Sequence, residues 1–128
     1  RILIGVRRTL TGYVVPGHVV DEAWMAWDVQ SDGSIANGRV FFDTADMEGR
    51  GIPDGMKIDS EGNLYGTGPG GVFILSPEGK HLGTIQPTER PANLAWGDAD
   101  GKTLYMTAQT GLYRVRLNIP GLLPVGVR

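Results

Sequence analysis

The chain repeats itself. PDGMKIDSEGNLYGTGPGGVF at 53–73 lies over PANLAWGDADGKTLYMTAQTGLY at 91–113. Pro53 pairs with Pro91 at a shift of 38. Leu64-Tyr65 pairs with Leu104-Tyr105, and Gly71-Val72-Phe73 with Gly111-Leu112-Tyr113, both at a shift of 40. The two extra residues fall inside the turn SEGN/DADGKT, where an insertion costs least. A third, partial copy comes earlier. MAWDVQSDG (25–33) resembles FILSPEG (73–79), each an apolar strand running into a turn that ends in Gly. A period of about 40 residues with four short strands per unit is the signature of a β-propeller blade. Such a sheet cannot bury both faces alone, so it stacks on its neighbours.

Turn signals punctuate the chain at Asp32-Gly33, Glu61-Gly62-Asn63, Glu78-Gly79 and Asp98-Ala99-Asp100-Gly101. Between them the alternation predicts strands at 24–29, 39–42, 56–58, 64–66, 72–75, 82–85, 94–96, 104–107 and 112–117. No segment holds a helical period. Gly 20 and Pro 8 are spread among aromatic and β-branched residues, as in a protein of many short strands. Pro120 and Pro124 make 119–128 a C-terminal tail. The expected fold is therefore all-β, with about three blades in 128 residues. Propellers close with roughly 4–8 blades. Three blades leave apolar faces and unpaired edges at both ends. The sequence is thus expected to be a fragment of a longer chain, or to complete its ring by self-association.

Charge and composition exclude several classes. Lys+Arg 12 against Asp+Glu 14 gives a net charge of -2, which argues against nucleic acid as a partner. Cysteine is absent, which removes disulfides, thiolate nucleophiles and zinc-thiolate sites. No apolar run approaches the roughly 20 residues of a membrane helix. Arg7-Arg8 interrupts what would be the apolar region of a signal peptide. A soluble protein is expected, and cytoplasm and periplasm both remain open. The missing initiator Met points to a natural start upstream of residue 1.

Asp54 raises the main question. Pro-Asp-Gly is an ordinary turn tripeptide, with Pro fixing φ and Asp bonding back to the backbone. A strand-like Met-Lys-Ile follows at once. Asp54 either shapes that turn or is aimed by it. Asn93, in PANLAW, occupies the place of Asp54–Gly55 one repeat later. It either caps a strand start or faces the propeller channel and contacts substrate. Asp98, Asp100 and Gly101 form half of a calcium loop without the downstream acid, so they read as a hairpin turn. Gly66–Gly71 lacks the Lys-Ser/Thr of a phosphate loop and reads as a strand connection. Glu48 and Arg50 read as a solvated loop near a channel mouth, and His81 as an exposed hairpin residue. Trp24 and Trp27 should point to opposite faces of one strand. No G-x-S-x-G supports a serine hydrolase.

Seven motifs in unbroken order carry a resemblance. GRVFFD (38–43), GIPDGMKID (51–59), EGNLYGTGPGGV (61–72), SPEGKHLGTI (76–85), PANLAWGD (91–98), GKTLYMTA (101–108) and LYRVRL (112–117) are similar to the gluconolactonase family. That family also holds the senescence-marker and luciferin-regenerating proteins. The resemblance implies a six-bladed propeller, of which this sequence looks like the C-terminal half, with blades at 24–118. It implies metal-dependent hydrolysis of a sugar lactone. Asp54 falls on the aspartate of the family's PDGM turn, which binds a divalent metal ion and is proposed as the general base. Oxygen ligation is compatible with calcium, zinc, magnesium and manganese, and the resemblance implies calcium or zinc.

The departures are as specific. The family's other ligands, a glutamate near the chain start and an asparagine in an earlier blade, belong to sequence that is not present. So do the arginine and asparagine that hold the sugar. Residues 1–23 match nothing in the pattern. The alternative reading is a non-catalytic propeller arc that serves as a binding or self-assembly module. A plain β-sandwich is disfavoured by the repeat.

Overall fold

A computed structural model describes residues 2–7 and 22–123; His18 lies outside them. Every described regular element is a β-strand, and every pairing is antiparallel. The strands are β1 (Ile2–Arg7), β2 (Ala23–Val29), β3 (Ile35–Asp43), β4 (Met56–Ile58) and β5 (Leu64–Gly68). They continue with β6 (Gly71–Leu75), β7 (His81–Ile85), β8 (Pro91–Gly97), β9 (Thr103–Ala108) and β10 (Leu112–Arg116). They form three blade-like sheets, ordered β1-β2-β3, β4-β5-β6-β7 and β10-β9-β8. All nine expected strands are present. β1 was not expected, although its Ile-Leu-Ile-Gly-Val run has strand character. β3 starts four residues early, because Ile35 and Ala36 pair with Val29 and Asp28 beyond an irregularity in the ladder.

The chain divides into two compact units, Arg1–Met47 and Glu48–Arg128. In the first, β2 is central and buries Ala23–Ala26. Trp24 is buried, with its ring 6.2 Å from Phe42. Trp27 lies across two glycines. A Cβ on Gly38 would sit 2.6 Å from its Nε1, and one on Gly5 would sit 3.0 Å from its ring. Asp28 accepts from Arg39 and Asn37, each at 2.9 Å, which ties β2 to β3.

In the second unit two sheets share one core. Tyr65, Val72, Leu94, Trp96, Leu104 and Met106 are its buried members. The β8 ladder alternates, so Leu94 and Trp96 face inward while Asn93 and Ala95 are exposed. Tyr65 meets Trp96 edge-on at 4.9 Å. The Trp96 indole N–H donates to the Ile58 carbonyl at 3.1 Å, which joins the two sheets. Full burial of one such large apolar side chain contributes about 2–3 kcal/mol.

The two sheets also share a lower edge. The Leu117 N–H donates to Lys102 O (2.8 Å), and the Gly121 N–H donates to Gly101 O (2.9 Å). The Ser60 N–H donates to Pro120 O and the Leu122 N–H to Ile58 O, both at 2.9 Å. Residues 117–122 therefore run along both sheets. Gly121 lies flat on Trp96, where a Cβ would fall 1.8 Å from the indole Cγ.

Candidate active site

Asp54 stands at the opposite end of these strands, just before β4. Pro53 is fully buried and anchors the turn. Gly51 takes φ +128°, and a Cβ there would meet Gly68 O at 2.6 Å. The Asp54 N–H donates to Thr67 O (3.2 Å), and the Thr67 N–H donates to Gly55 O (2.9 Å). The Asp54–Gly55 pair thus extends the β4–β5 ladder. On its other side the Gly55 N–H donates to Ala92 O at 3.2 Å, in β8. The buried Thr67 hydroxyl spans the seam, lying 3.4 Å from Gly55 O and 3.3 Å from Ala92 O. The backbone under Asp54 is therefore clamped between two sheets, while its side chain is exposed.

Asn93 reaches the same place from the next sheet. A Cβ on Gly55 would lie 2.3 Å from Asn93 Oδ1 and 2.7 Å from Asn93 Cα. Close approach, not an unusual φ, requires glycine here. The Asn93 Oδ1 accepts the Leu94 N–H at 2.8 Å. An irregularity between Pro91 and Asn93 leaves Asn93 opposite Thr107 and swings it towards Gly55. The structure thus brings the two candidate residues to one seam, with Asn93 against the glycine that follows Asp54.

As metal donors they are of the right kind, a carboxylate and an amide carbonyl, both hard oxygens. They are too few. Calcium takes about 6–8 oxygen ligands. Among the described residues no group of three or more His, Cys, Asp or Glu side chains is placed to hold an ion. The described residues do not complete a metal centre.

The remaining candidates have structural roles. Asp98 and Asp100 build the β8–β9 turn, as expected. Asp98 accepts from the Thr103 hydroxyl and from Tyr105 (2.8 Å), which hold its carboxyl below the ordinary value. Asp100 accepts from Arg116 and from the Lys102 N–H, with the same effect. Gly66–Gly71 makes the β5–β6 hairpin. His81 stacks on Phe73 at 4.9 Å and lies 2.9 Å from the Thr84 hydroxyl, so it is half-buried instead of exposed. Glu48 and Arg50 are exposed loop residues.

Sequence reasoning missed Asp59. It is 1% exposed and accepts four hydrogen bonds. These come from the Glu61 and Asn63 N–H groups (both 2.9 Å), Asn63 Nδ2 (2.8 Å) and the Tyr65 hydroxyl (3.2 Å). The signal was present in the spacing: Asp59 and Asp98 each precede a Gly by three residues.

The sequence profile of the SMP-30/Gluconolactonase/LRE-like region matches residues 13–110, and the chain belongs to this family. It is 43% identical over 68 residues to the gluconolactonase of Zymomonas mobilis, covering 52% of this chain and 19% of that protein. It is 30% identical over 124 residues to the 6-deoxy-6-sulfogluconolactonase of Pseudomonas putida, covering 83% and 41%. Among solved structures it is similar to a luciferin-regenerating enzyme, with a TM-score of 0.72 and 26% identity over 83% of this chain and 42% of that one. The chain thus spans less than half the length of each of these relatives.

Proposed function

We propose that this sequence is part of a sugar-lactone hydrolase, and that Asp54 is its reacting carboxylate. The observation that carries this reading is the Asp54–Gly55 seam in a chain whose relatives include gluconolactonases. A water molecule attacks the lactone carbonyl carbon. The Asp54 carboxylate takes the water proton and returns it to the ring oxygen, which leaves as a hydroxyl when the C–O bond breaks. Asn93, an exposed amide at the same seam, would hydrogen-bond the substrate. The enzyme would use one divalent ion, calcium or zinc by preference and magnesium or manganese otherwise. Asp54 would be the ligand supplied here, and the rest would come from outside the described residues. On this reading 24–118 are blades of a six-bladed ring, completed by a longer chain or by another copy.

The test is lactone hydrolysis by the natural, full-length gene product, followed by pH-stat on glucono-δ-lactone. Activity above the spontaneous rate should be lost in Asp54→Asn, with the fold retained by circular dichroism, and on chelation, with a lower melting temperature. A general base contributes about 10²–10⁴-fold. An unchanged rate in Asp54→Asn would reject the assignment.

The outward face of β8–β10 favours a second reading. Leu112 is 68% exposed there, beside a largely apolar hollow of about 350 Å³ lined with Ala95 and Tyr105. A binding or self-assembly module would cover this face. Light scattering decides whether another copy does so: a monomer at micromolar concentration excludes self-association.

A further inference from the structure

A second recess opens among the loops at the Asp54 end of the strands. It measures about 370 Å³ and is lined by Arg50, Gly70, Glu89, Arg90, Pro91 and Gln109, with neighbouring loop residues. Two of its walls are close in sequence to the seam. Arg50 precedes Asp54 by four residues, and Arg90-Pro91 runs into Asn93. The Gly70 N–H donates to Arg50 O at 3.1 Å, which fixes the Arg50 backbone over the β5–β6 hairpin. Gly51 packs beneath the Arg90 stem, since a Cβ there would lie 3.6 Å from its Cδ.

The charges of this recess do not cancel internally. Glu89 is its one carboxylate, and it faces the β9–β10 turn. It accepts the Gly111 N–H (2.9 Å), the Thr110 N–H (3.1 Å) and the Thr110 hydroxyl. Those bonds lower the pKa of Glu89 and occupy its oxygens. Arg50 and Arg90 are exposed, and neither guanidinium makes a hydrogen bond or ion pair with the described residues. Of the other described arginines, Arg39 and Arg116 are paired with aspartates, and Arg114 lies in a recess beside Asp98. Two uncompensated guanidinium groups at one concave site, with the Gln109 amide, form a donor set for an oxoanion.

We propose that Arg50 and Arg90 form an anion subsite that binds a phosphate or sulfonate group. The ligand carries this group at the end remote from the atoms that meet Asp54 and Asn93. This rests on the lactonase reading only for the identity of the rest of the ligand. The recess is larger than a single oxoanion, which leaves room for the carbons that connect the two sites. The arginines are specificity residues and touch no reacting atom.

The experiment is calorimetric titration of the full-length protein at fixed ionic strength with 6-phosphogluconate, gluconate and inorganic phosphate. These are stable open-chain or inorganic probes, so no turnover is needed. Tight binding of 6-phosphogluconate alone supports the proposal, with a loss of about tenfold or more in each of Arg50→Gln and Arg90→Gln. Both substitutions lie on exposed loops, and an unchanged melting temperature checks the fold. Equal affinity for 6-phosphogluconate and gluconate overturns the proposal, as does binding that survives the double substitution. Inorganic phosphate binding as tightly as the ester overturns the substituent assignment in favour of a free anion. Arginine-dependent binding in a protein that hydrolyses no lactone keeps the subsite and rejects only the lactonase reading.

Discussion

Two turns of the second unit do the same job in different surroundings. Asp59-Ser60-Glu61-Gly62 leads from β4 to β5, and Asp98-Ala99-Asp100-Gly101 leads from β8 to β9. In each, the Gly N–H donates to the Asp carbonyl at 3.1 Å, and the Gly takes positive φ. In each, the Asp carboxylate accepts from a residue at or just before the start of the next strand and from a tyrosine two positions on. These are Asn63 and Tyr65 in one turn and Thr103 and Tyr105 in the other. The ladders show where the repeat gained its two residues. Three residues connect Asp59 to Asn63, and five connect the paired Gly97 and Thr103. Asp98 is one of the added residues, and it reaches its partners from φ 62°. Aspartate tolerates that region better than most side chains. The difference is burial: Asp59 is buried under the segment 117–122, and Asp98 is exposed. The repeat preserves a hydrogen-bond pattern, while the energy of that pattern is set by whatever covers it.

The sharpest way to break the comparison is to delete both carboxylates. Asp59→Ala leaves four donors in a buried pocket. Each unsatisfied donor costs about 1–3 kcal/mol, and neighbouring donors do not add in full. The expected loss is about 3–5 kcal/mol, a fall in melting temperature of roughly 10 °C or more. Asp98→Ala should cost distinctly less, because water replaces the lost acceptor. Thermal melts of the two variants decide this. Equal losses would mean that burial does not separate the turns.

The tyrosines give a finer test. Burial first, and the Asp59 carboxylate second, push the Tyr65 hydroxyl above its ordinary value of 10.0. A raised folded value stabilises the protein below pH 10 and loses that contribution as pH rises through the folded value. Tyr65→Phe keeps the ring on Trp96 and removes one hydrogen bond, which costs about 1 kcal/mol at neutral pH. Above pH 10 its stability should fall less steeply than that of the native chain, as read from urea midpoints. Identical alkaline slopes would show that the Tyr65 hydroxyl is not raised in the folded protein. Tyr105→Phe is the half-buried counterpart, bonded to an exposed carboxylate, and should cost less at neutral pH.

These two turns also show what could be read from sequence. The repeat gave nine strands and placed Asn93 at the Asp54–Gly55 position, because alternation and turn residues act locally. The strand β1 was passed over because the motifs stop short of it. Asp59 was missed because its burial depends on Pro120–Leu122, about 60 residues later, and no local pattern reports such a contact. Gly55 was legible only as a turn residue, although its required contact is Asn93 of the next sheet. The Arg50–Arg90 recess was invisible for the same reason, since four separate loops build it.

The smallest effect is the most direct probe of the exposed turn. The Thr103 hydroxyl, and after it the Tyr105 hydroxyl, hold the Asp98 carboxyl below its ordinary value of 3.8. Arg114 adds to that shift, and Asp100 opposes it. A depressed folded value stabilises the protein above pH 3.8 and loses that contribution as pH falls through the folded value. Thr103→Val keeps the shape of a buried side chain and removes the first donor. The Asp98 carboxyl should then titrate closer to 3.8, while Asp100, held by Arg116, should stay low. Carbon-detected NMR titration between pH 6 and 2 resolves both groups. If Asp98 in the native chain titrates at 3.8 or above, its hydroxyl partners do not hold it in solution. The two turns would then share a backbone path and not a hydrogen-bond pattern.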